Sequence, residues 1–253
     1  MLFLFKSLVF FFTAVVYTLI EYLYSVIKND GRHIDEQTKN AVYSGVILIF
    51  TETTSVLIFL FLTTKLYTYL WGSVQSVNLF QLVIAVILID ILYYFYHRIH
   101  HSNSKLFAIH KVHHIGTKYN LSLALMLPWV GQASIYCVLV PLIFLQITPY
   151  TIITAYFFLL TYQFFSHISY LQLPKWCDCF LVTPRNHRIH HYKDRFSQNH
   201  NFGAVFSIWD RLFSTYTAIE IKNESTFGVK GYKQKNFLEF QKETILQFLK
   251  NKG

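Results

Sequence analysis

The chain has 253 residues, of which 53% are apolar, 19% aromatic and only 14% charged. An ordinary soluble domain carries about 25% charged residues, so the composition argues against a water-soluble globule and for a protein of the bilayer. The net charge of +9 does not indicate nucleic acid, because the basic residues flank apolar segments and fill the C-terminal tail, as expected of a face lying against anionic lipid.

In chain order, the first element is an apolar run over Ser7–Ile27, with Glu21 near its end. It is long and lacks a small-residue cleavage site, so it reads as an anchor and not a cleaved leader. Ala41–Leu62 is a second span and carries Glu52; Val77–Tyr96 is a third, interrupted by Asp90. Each has the roughly 20 residues that a bilayer core requires. A polar, histidine-rich stretch follows from His97 to Lys118. Residues 119–174 then contain no Asp, Glu, Lys or Arg. That is enough for two helices joined at Thr148-Pro149, the first broken or kinked by Pro128 and Pro141; crossing and re-entry are both compatible with it. From Lys175 the chain is polar, and it ends in an amphipathic helix, Phe237–Lys250, with Leu238, Phe240, Ile245, Leu246 and Leu249 on its apolar side. The sparse cysteines Cys137, Cys177 and Cys179 form no disulfide framework and suit a reducing compartment.

The expected fold is all-α: an integral membrane protein with four or five transmembrane helices and a histidine-rich helical cap. Its parts are an N-terminal transmembrane hairpin (1–76), a catalytic domain (77–216) and a C-terminal tail (217–253). Placing His97 in the cytoplasm puts Lys28, Arg32, Lys39 and every basic residue from Arg98 onward inside, leaving only Lys6 and Lys65 across or within the membrane. The positive-inside rule therefore orients the cap and the C-terminus to the cytoplasm.

Eleven of twelve histidines fall between His97 and His200. Three clusters stand out: His97-Arg-Ile-His100-His101, His110-Lys-Val-His113-His114 and His187-Arg-Ile-His190-His191. On a helix, positions i, i+3 and i+4 share a face. So His97 pairs with His101, and His110, His113 and His114 point one way, as do His187, His190 and His191. One such motif is unremarkable, but three within a hundred residues are not. Eight converging imidazoles held neutral need a common acceptor, and a metal supplies it. The number exceeds what one tetrahedral zinc uses and fits two metals with four or five nitrogens each. His167, at the end of the last span, is a ninth candidate. His100 reads as a neighbour of the ligands; His200 and His33 read as ordinary histidines.

Imidazole suits zinc, copper and iron alike. The setting favours iron, because lipids at a bilayer surface offer mainly unactivated C–H bonds, which require a redox metal and O2. Asp90 shares a helix face with His97, and Asp194 and Asp210 are further acids for offsetting metal charge and fixing imidazole tautomers; a salt bridge or helix cap is the plain reading of Asp210. Trp129, Phe164, Phe165 and Tyr170 are candidates for a lipid path, with aromatic packing the plainer reading. Two other classes compete: a membrane zinc hydrolase, active without oxygen, and a non-enzymatic metal or haem transport protein. A transporter would carry its histidines mid-span, and a haem carrier needs only two.

The motifs together resemble the fatty acid hydroxylase / sterol desaturase superfamily. Asp90-Ile-Leu-Tyr-Tyr-Phe-Tyr-His97-Arg-Ile-His100-His101 is similar to its first motif, His110-Lys-Val-His113-His114 to its second and Thr183-Pro-Arg-Asn-His187-Arg-Ile-His190-His191 to its third. Asn201-Phe-Gly203 and Ile208-Trp209-Asp210-Arg211-Leu-Phe213 resemble the closing signature. Tyr119-Asn120-Leu-Ser and His167 resemble the sterol desaturase and alkylglycerol monooxygenase branch. The resemblance covers roughly 77–216. It implies a di-iron centre held by His97, His101, His110, His113, His114, His187, His190 and His191, with His167 as an additional ligand. It also implies O2 as co-substrate and hydroxylation or desaturation of a sterol, fatty acyl or ether lipid. No cytochrome b5 segment is fused to these residues, so electrons are expected from a separate donor (cytochrome b5-like, a ferredoxin or a reductase). Ser169 stands where that branch carries a glutamate, and Asn186 where it tends to carry histidine, which argues against pterin-dependent ether cleavage.

Overall fold

The structure, a computed structural model, describes residues 2–27, 36–127, 131, 133–219, 227–233 and 235–250. His33, Lys28, Arg32, Pro128 and Trp129 lie outside them. Among the described residues every regular element is helical; the nearest approach to β-structure is two isolated bridges, Leu181 with Phe206 and Tyr192 with Phe227.

Three long helices come first: α1 (Leu2–Ile27), α2 (Glu36–Trp71) and α3 (Leu79–Ser102). Both α2 and α3 are long and apolar enough to cross a membrane. At 1.5 Å per residue, α2 is about 54 Å long and α3 about 36 Å, against a hydrocarbon core of about 30 Å. Both expose large apolar side chains, among them Phe50, Phe61, Leu62, Leu79 and Phe80. A soluble protein rarely leaves so much apolar surface uncovered; in lipid it is the stable arrangement.

The third apolar segment does not stop at Tyr96. Asn78 caps the N-terminus of α3, its side chain accepting from Gln81 N, and the helix continues unbroken through His97 and His101 to Ser102. Asn103 then ends α3 and starts α4 (Ser104–His110), accepting from Lys105 N and Leu106 N. A 3-10 turn over Lys111–His114 follows directly.

The uncharged stretch is not two helices of equal rank. Its first arm is broken into α5 (Leu121–Leu125), α6 (Ser134–Leu139) and a 3-10 turn over Val140–Leu145. Pro141 has no N–H to donate, which favours that turn over a continued α-helix. Ser134–Leu145 rises only roughly 18–24 Å, short of the core thickness. The chain reverses at Gln146, at φ 59°, and returns as one helix, α7 (Pro149–Ser166), with Thr148 as its cap and Pro149 in its first turn.

Beyond α7 the elements are short: a 3-10 turn over Lys175–Cys179, α8 (Pro184–His190), α9 (Arg195–Gln198) and α10 (Ile208–Leu212). The last helix, α11 (Phe237–Lys250), packs on α4. It buries Phe240 but leaves Leu238 and Leu249 exposed, so only part of its apolar set faces the protein.

One apolar core lies between α2, α3, α6 and α7, and a second, around Ala41, Val112, Leu123 and Phe164, sits beneath the histidines. The buried side chain of Gln37, in the first turn of α2, ties the second core to the loop after His114. Its Oε1 accepts from Thr117 N and Lys118 N, and its Nε2 donates to Lys118 O and Ser122 Oγ. Replacing it strands two backbone donors, and each buried unsatisfied donor costs about 1–3 kcal/mol. The variant Gln37→Leu is expected to unfold about 2–4 kcal/mol more easily, read from chemical denaturation in detergent.

Candidate metal centre

The histidine-bearing segments meet at one end of the bundle. His97 and His101 come from the last two turns of α3, His110 from the end of α4, and His113 and His114 from the 3-10 turn after it. His167 caps α7; His187 and His190 lie on α8, with His191 as its cap. All nine are buried or nearly so.

They form two groups, not one. His97, His101, His110, His114 and His190 make a group of five; His113, His167, His187 and His191 make a group of four. Within each, one ring nitrogen per residue lies within 4.8 Å of the others. The groups touch: His191 stacks on His114 at 4.6 Å and meets His113 edge-on at 4.6 Å. The expectation that each three-histidine motif points one way is therefore corrected. His110 and His114 enter the first group while His113 enters the second; His187 and His191 enter the second while His190 enters the first. Helical geometry explains the exchange. On α8, positions i+3 and i+4 flank position i by about −60° and +40°, given 100° per residue, and on the 3-10 turn His113 and His114 are about 120° apart. Side chains on one face can therefore diverge to two centres set side by side.

The outer nitrogens fix the tautomers. His97 Nδ1 donates to Phe202 O at 2.9 Å, His167 Nδ1 to Gln163 O at 2.7 Å and His190 Nδ1 to His200 O at 2.7 Å. A carbonyl only accepts, so these rings carry the proton on Nδ1 and turn an Nε2 lone pair inward. The inner nitrogens crowd together: His97 Nε2 lies 3.0 Å from His110 Nε2, and His110 and His114 are 3.2 Å apart. In the other group His187 Nε2 is 3.2 Å from both His167 Nε2 and His191 Nε2. The Nε2 atoms of His101 and His190 are buried without a partner. Two nitrogens about 2.1 Å from a shared metal, at right angles, stand about 3.0 Å apart. The donor sets thus fit one metal ion each.

Burial, reinforced by the neighbouring imidazoles, holds His110, His114, His187 and His191 well below the usual histidine range. His167 is lowered to about 4, again by burial first, with the Gln163 carbonyl pulling the other way. The rings are neutral at pH 7, as metal ligands must be.

The three acids bond backbone and side chains other than imidazoles. Asp90, fully buried, accepts from Val205 N, Phe206 N and Trp209 Nε1. Asp210 accepts from Phe202 N, Gly203 N and Thr215 Oγ1; burial pushes it up to about 6 against those bonds. Asp194 caps α9 through Ser197 N. Among the described residues none of the three has a recorded hydrogen bond to a histidine. Asp90 and Asp210 instead fold the 202–209 loop so that the Phe202 carbonyl meets His97. Gly203 permits it, since a Cβ there would stand 2.5 Å from Phe206 O and 3.0 Å from Asp210 Oδ2.

His100 belongs to neither group; its Nδ1 donates to Tyr96 O and its ring lies 4.1 Å from that of Tyr96. His200 contributes its carbonyl, not its ring. Backbone acceptors such as Phe202 and His200 carry no signal in side-chain identity. A cavity between the helices is lined by His110, His113, His167 and Phe164 and also by Tyr156 and Glu52. Phe165 and Tyr170 are exposed, away from it.

With folded-state values below the unfolded value of about 6.5, these histidines take up protons on unfolding, so stability rises with pH across that window. The metal-free protein is expected to keep its full melting temperature above pH ~6.5 and to lose it steadily as pH falls towards ~4. The check is thermal melting across pH after chelation. The variant Gly203→Ala is expected to lower metal content, read by elemental analysis, without touching any histidine.

Residues 82–215 match the fatty acid hydroxylase family model. The chain is 32% identical over 155 residues to alkylglycerol monooxygenase of Danio rerio, covering 59% of this chain and 34% of that protein, and 31% identical over 157 residues to that of Homo sapiens, covering 60% and 35%. It is 29% identical over 181 residues to ornithine lipid hydroxylase OlsE of Rhizobium tropici, covering 68% and 52%. The chain thus spans about a third of the first two relatives and half of the third. No solved structure matches it. The match to the family model covers more than half of the chain and includes all nine gathered histidines, eight of them in three recurring motifs: the chain belongs to the fatty acid hydroxylase family.

Proposed function

We propose that the protein is a membrane-bound, O2-dependent lipid hydroxylase or desaturase with two irons. His97, His101, His110, His114 and His190 hold one, and His113, His167, His187 and His191 hold the other. The observation that carries this reading is the pair of adjacent, buried, neutral nitrogen sets; the relatives, named for the oxidation of alkylglycerols and of ornithine lipids, support it. Two adjacent irons supply the two-electron activation of oxygen that an unactivated C–H bond demands, which zinc does not.

The chain's own part is positional. The Phe202, Gln163 and His200 carbonyls hold the lone pairs of His97, His167 and His190 inward. The cavity brings an alkyl segment against His110, His113 and His167 between apolar walls that exclude water. Hydroxylation and desaturation differ in which hydrogen lies nearest, hence in the placement of that segment. The lipid enters from the bilayer, α2 and α3 cross it, and the histidines and C-terminus face the cytoplasm, where a separate donor of the cytochrome b5, ferredoxin or reductase type supplies electrons. Ser169, where the alkylglycerol branch carries glutamate, favours a lipid other than an ether-cleavage substrate.

Protein purified in detergent from iron-supplemented cells is expected to hold about two irons per chain, by the donor count of each group. His110→Ala and His113→Ala are each expected to lower that content and to abolish oxygen-dependent turnover of lipid extract. One tightly held zinc in place of iron, with activity that persists without oxygen, would move the assignment to a hydrolase.

A further inference from the structure

The cavity does not end in hydrocarbon. At its inner end lies Glu52, 2% exposed, in the middle of the apolar stretch of α2. A carboxylate at that depth is expensive, and such residues serve a function or find a partner. Glu52 Oε2 accepts from Tyr136 Oη at 2.6 Å. That is its one hydrogen-bond partner among the described residues, so Oε1 has none. The surroundings are polar for a membrane interior. The Tyr136 and Tyr156 rings lie 5.6 Å apart beside Glu52, and Tyr96 lines the same cavity. A channel for a plain alkyl tail requires none of this.

We propose that this inner end recognises a hydroxyl group, so that the lipid in the cavity is elongated and bears a hydroxyl on its deep end. The free Glu52 oxygen accepts the hydroxyl proton, and Tyr156 lines the same end of the cavity. The spacing follows from α7: Tyr156 and His167 are eleven residues apart on or next to one helix, so the hydroxyl sits roughly 16 Å from the carbon that lies against the histidines. Phospholipid headgroups stay at the interface and do not reach mid-span, which excludes them as the occupant of this end. The proposal deepens the reading above, in which the cavity holds the lipid that is oxidised.

The test is a binding measurement, native mass spectrometry in detergent, using dodecanol and undecyl methyl ether, which match in length and differ in the donor. Wild type is expected to bind dodecanol at least tenfold more tightly. Glu52→Leu is expected to erase the difference, and Tyr136→Phe, which leaves the carboxylate in place, to keep it. If Glu52→Leu does not fold, Glu52→Gln retains one acceptor and is expected to cut the preference about threefold. Equal binding of the two probes by wild type overturns the proposal, as does a preference that survives in Glu52→Leu. A preference lost in both variants along with their melting temperature makes Glu52 a tether between α2 and α6 and overturns it too. Binding requires neither oxygen nor reductant, so a chain that never holds iron yet keeps the preference refutes the oxygenase and leaves the recognition site standing. A di-iron protein without the preference does the reverse.

Discussion

Nine imidazoles share one dry volume at the end of this bundle, and the remaining architecture answers the electrostatic problem that this creates. Protonated, they would repel one another with little water to screen them; neutral, they crowd their inner nitrogens to within 3.0–3.2 Å of one another. A buried polar atom without a partner is costly, and here several are stacked together. Cations placed between the rings remove that cost. The fold's task is to hold the rings in place firmly enough that they wait for metal instead of turning outward to water.

That firmness comes from outside the histidines. Asp90 and Asp210 reach from two different helices into one loop and take up its backbone N–H groups, which fixes the loop's carbonyls. Those carbonyls accept from the outer nitrogens of His97 and His190. Gln37 does the equivalent for the loop after His114, as does Tyr119, whose hydroxyl donates to Ser166 O beside His167. The rings of His97, His167 and His190 are held by backbone carbonyls, and the backbone around them by buried polar side chains. Preorganisation of this kind is what a metal site gains from its outer contacts.

Much of this was legible in the sequence, and the reasons for the rest are physical. Spacing singled out eight of the nine histidines that the fold gathers, the place of His167 at the end of an apolar run suggested the ninth, and the apolar runs marked the longer helices. It did not reveal that His113 and His190 each leave their own motif for the opposite group, because one helical face looks like one direction until two centres lie beside it. Asp90 was visible as an acid in a span. Its partners were not, because backbone N–H groups have no letter in the sequence and lie 115 and 116 residues away. The broken first arm of the uncharged stretch was hidden for a related reason: composition reports apolarity, whereas Pro141 and the left-handed turn at Gln146 decide where a helix stops.

The continuity of α3 has a mechanical consequence. The helix that exposes Leu79, Phe80 and Val83 is the same continuous rod that carries His97 and His101. A transmembrane helix answers a thicker or thinner bilayer by changing its tilt. Any such tilt displaces two donors of the five-histidine group relative to His110, His114 and His190, which ride on elements outside the span. With α3 spanning a bilayer and metal held as proposed, membrane thickness would be a geometric input to the site, and a fluid or a stiff bilayer part of what sets its coordination.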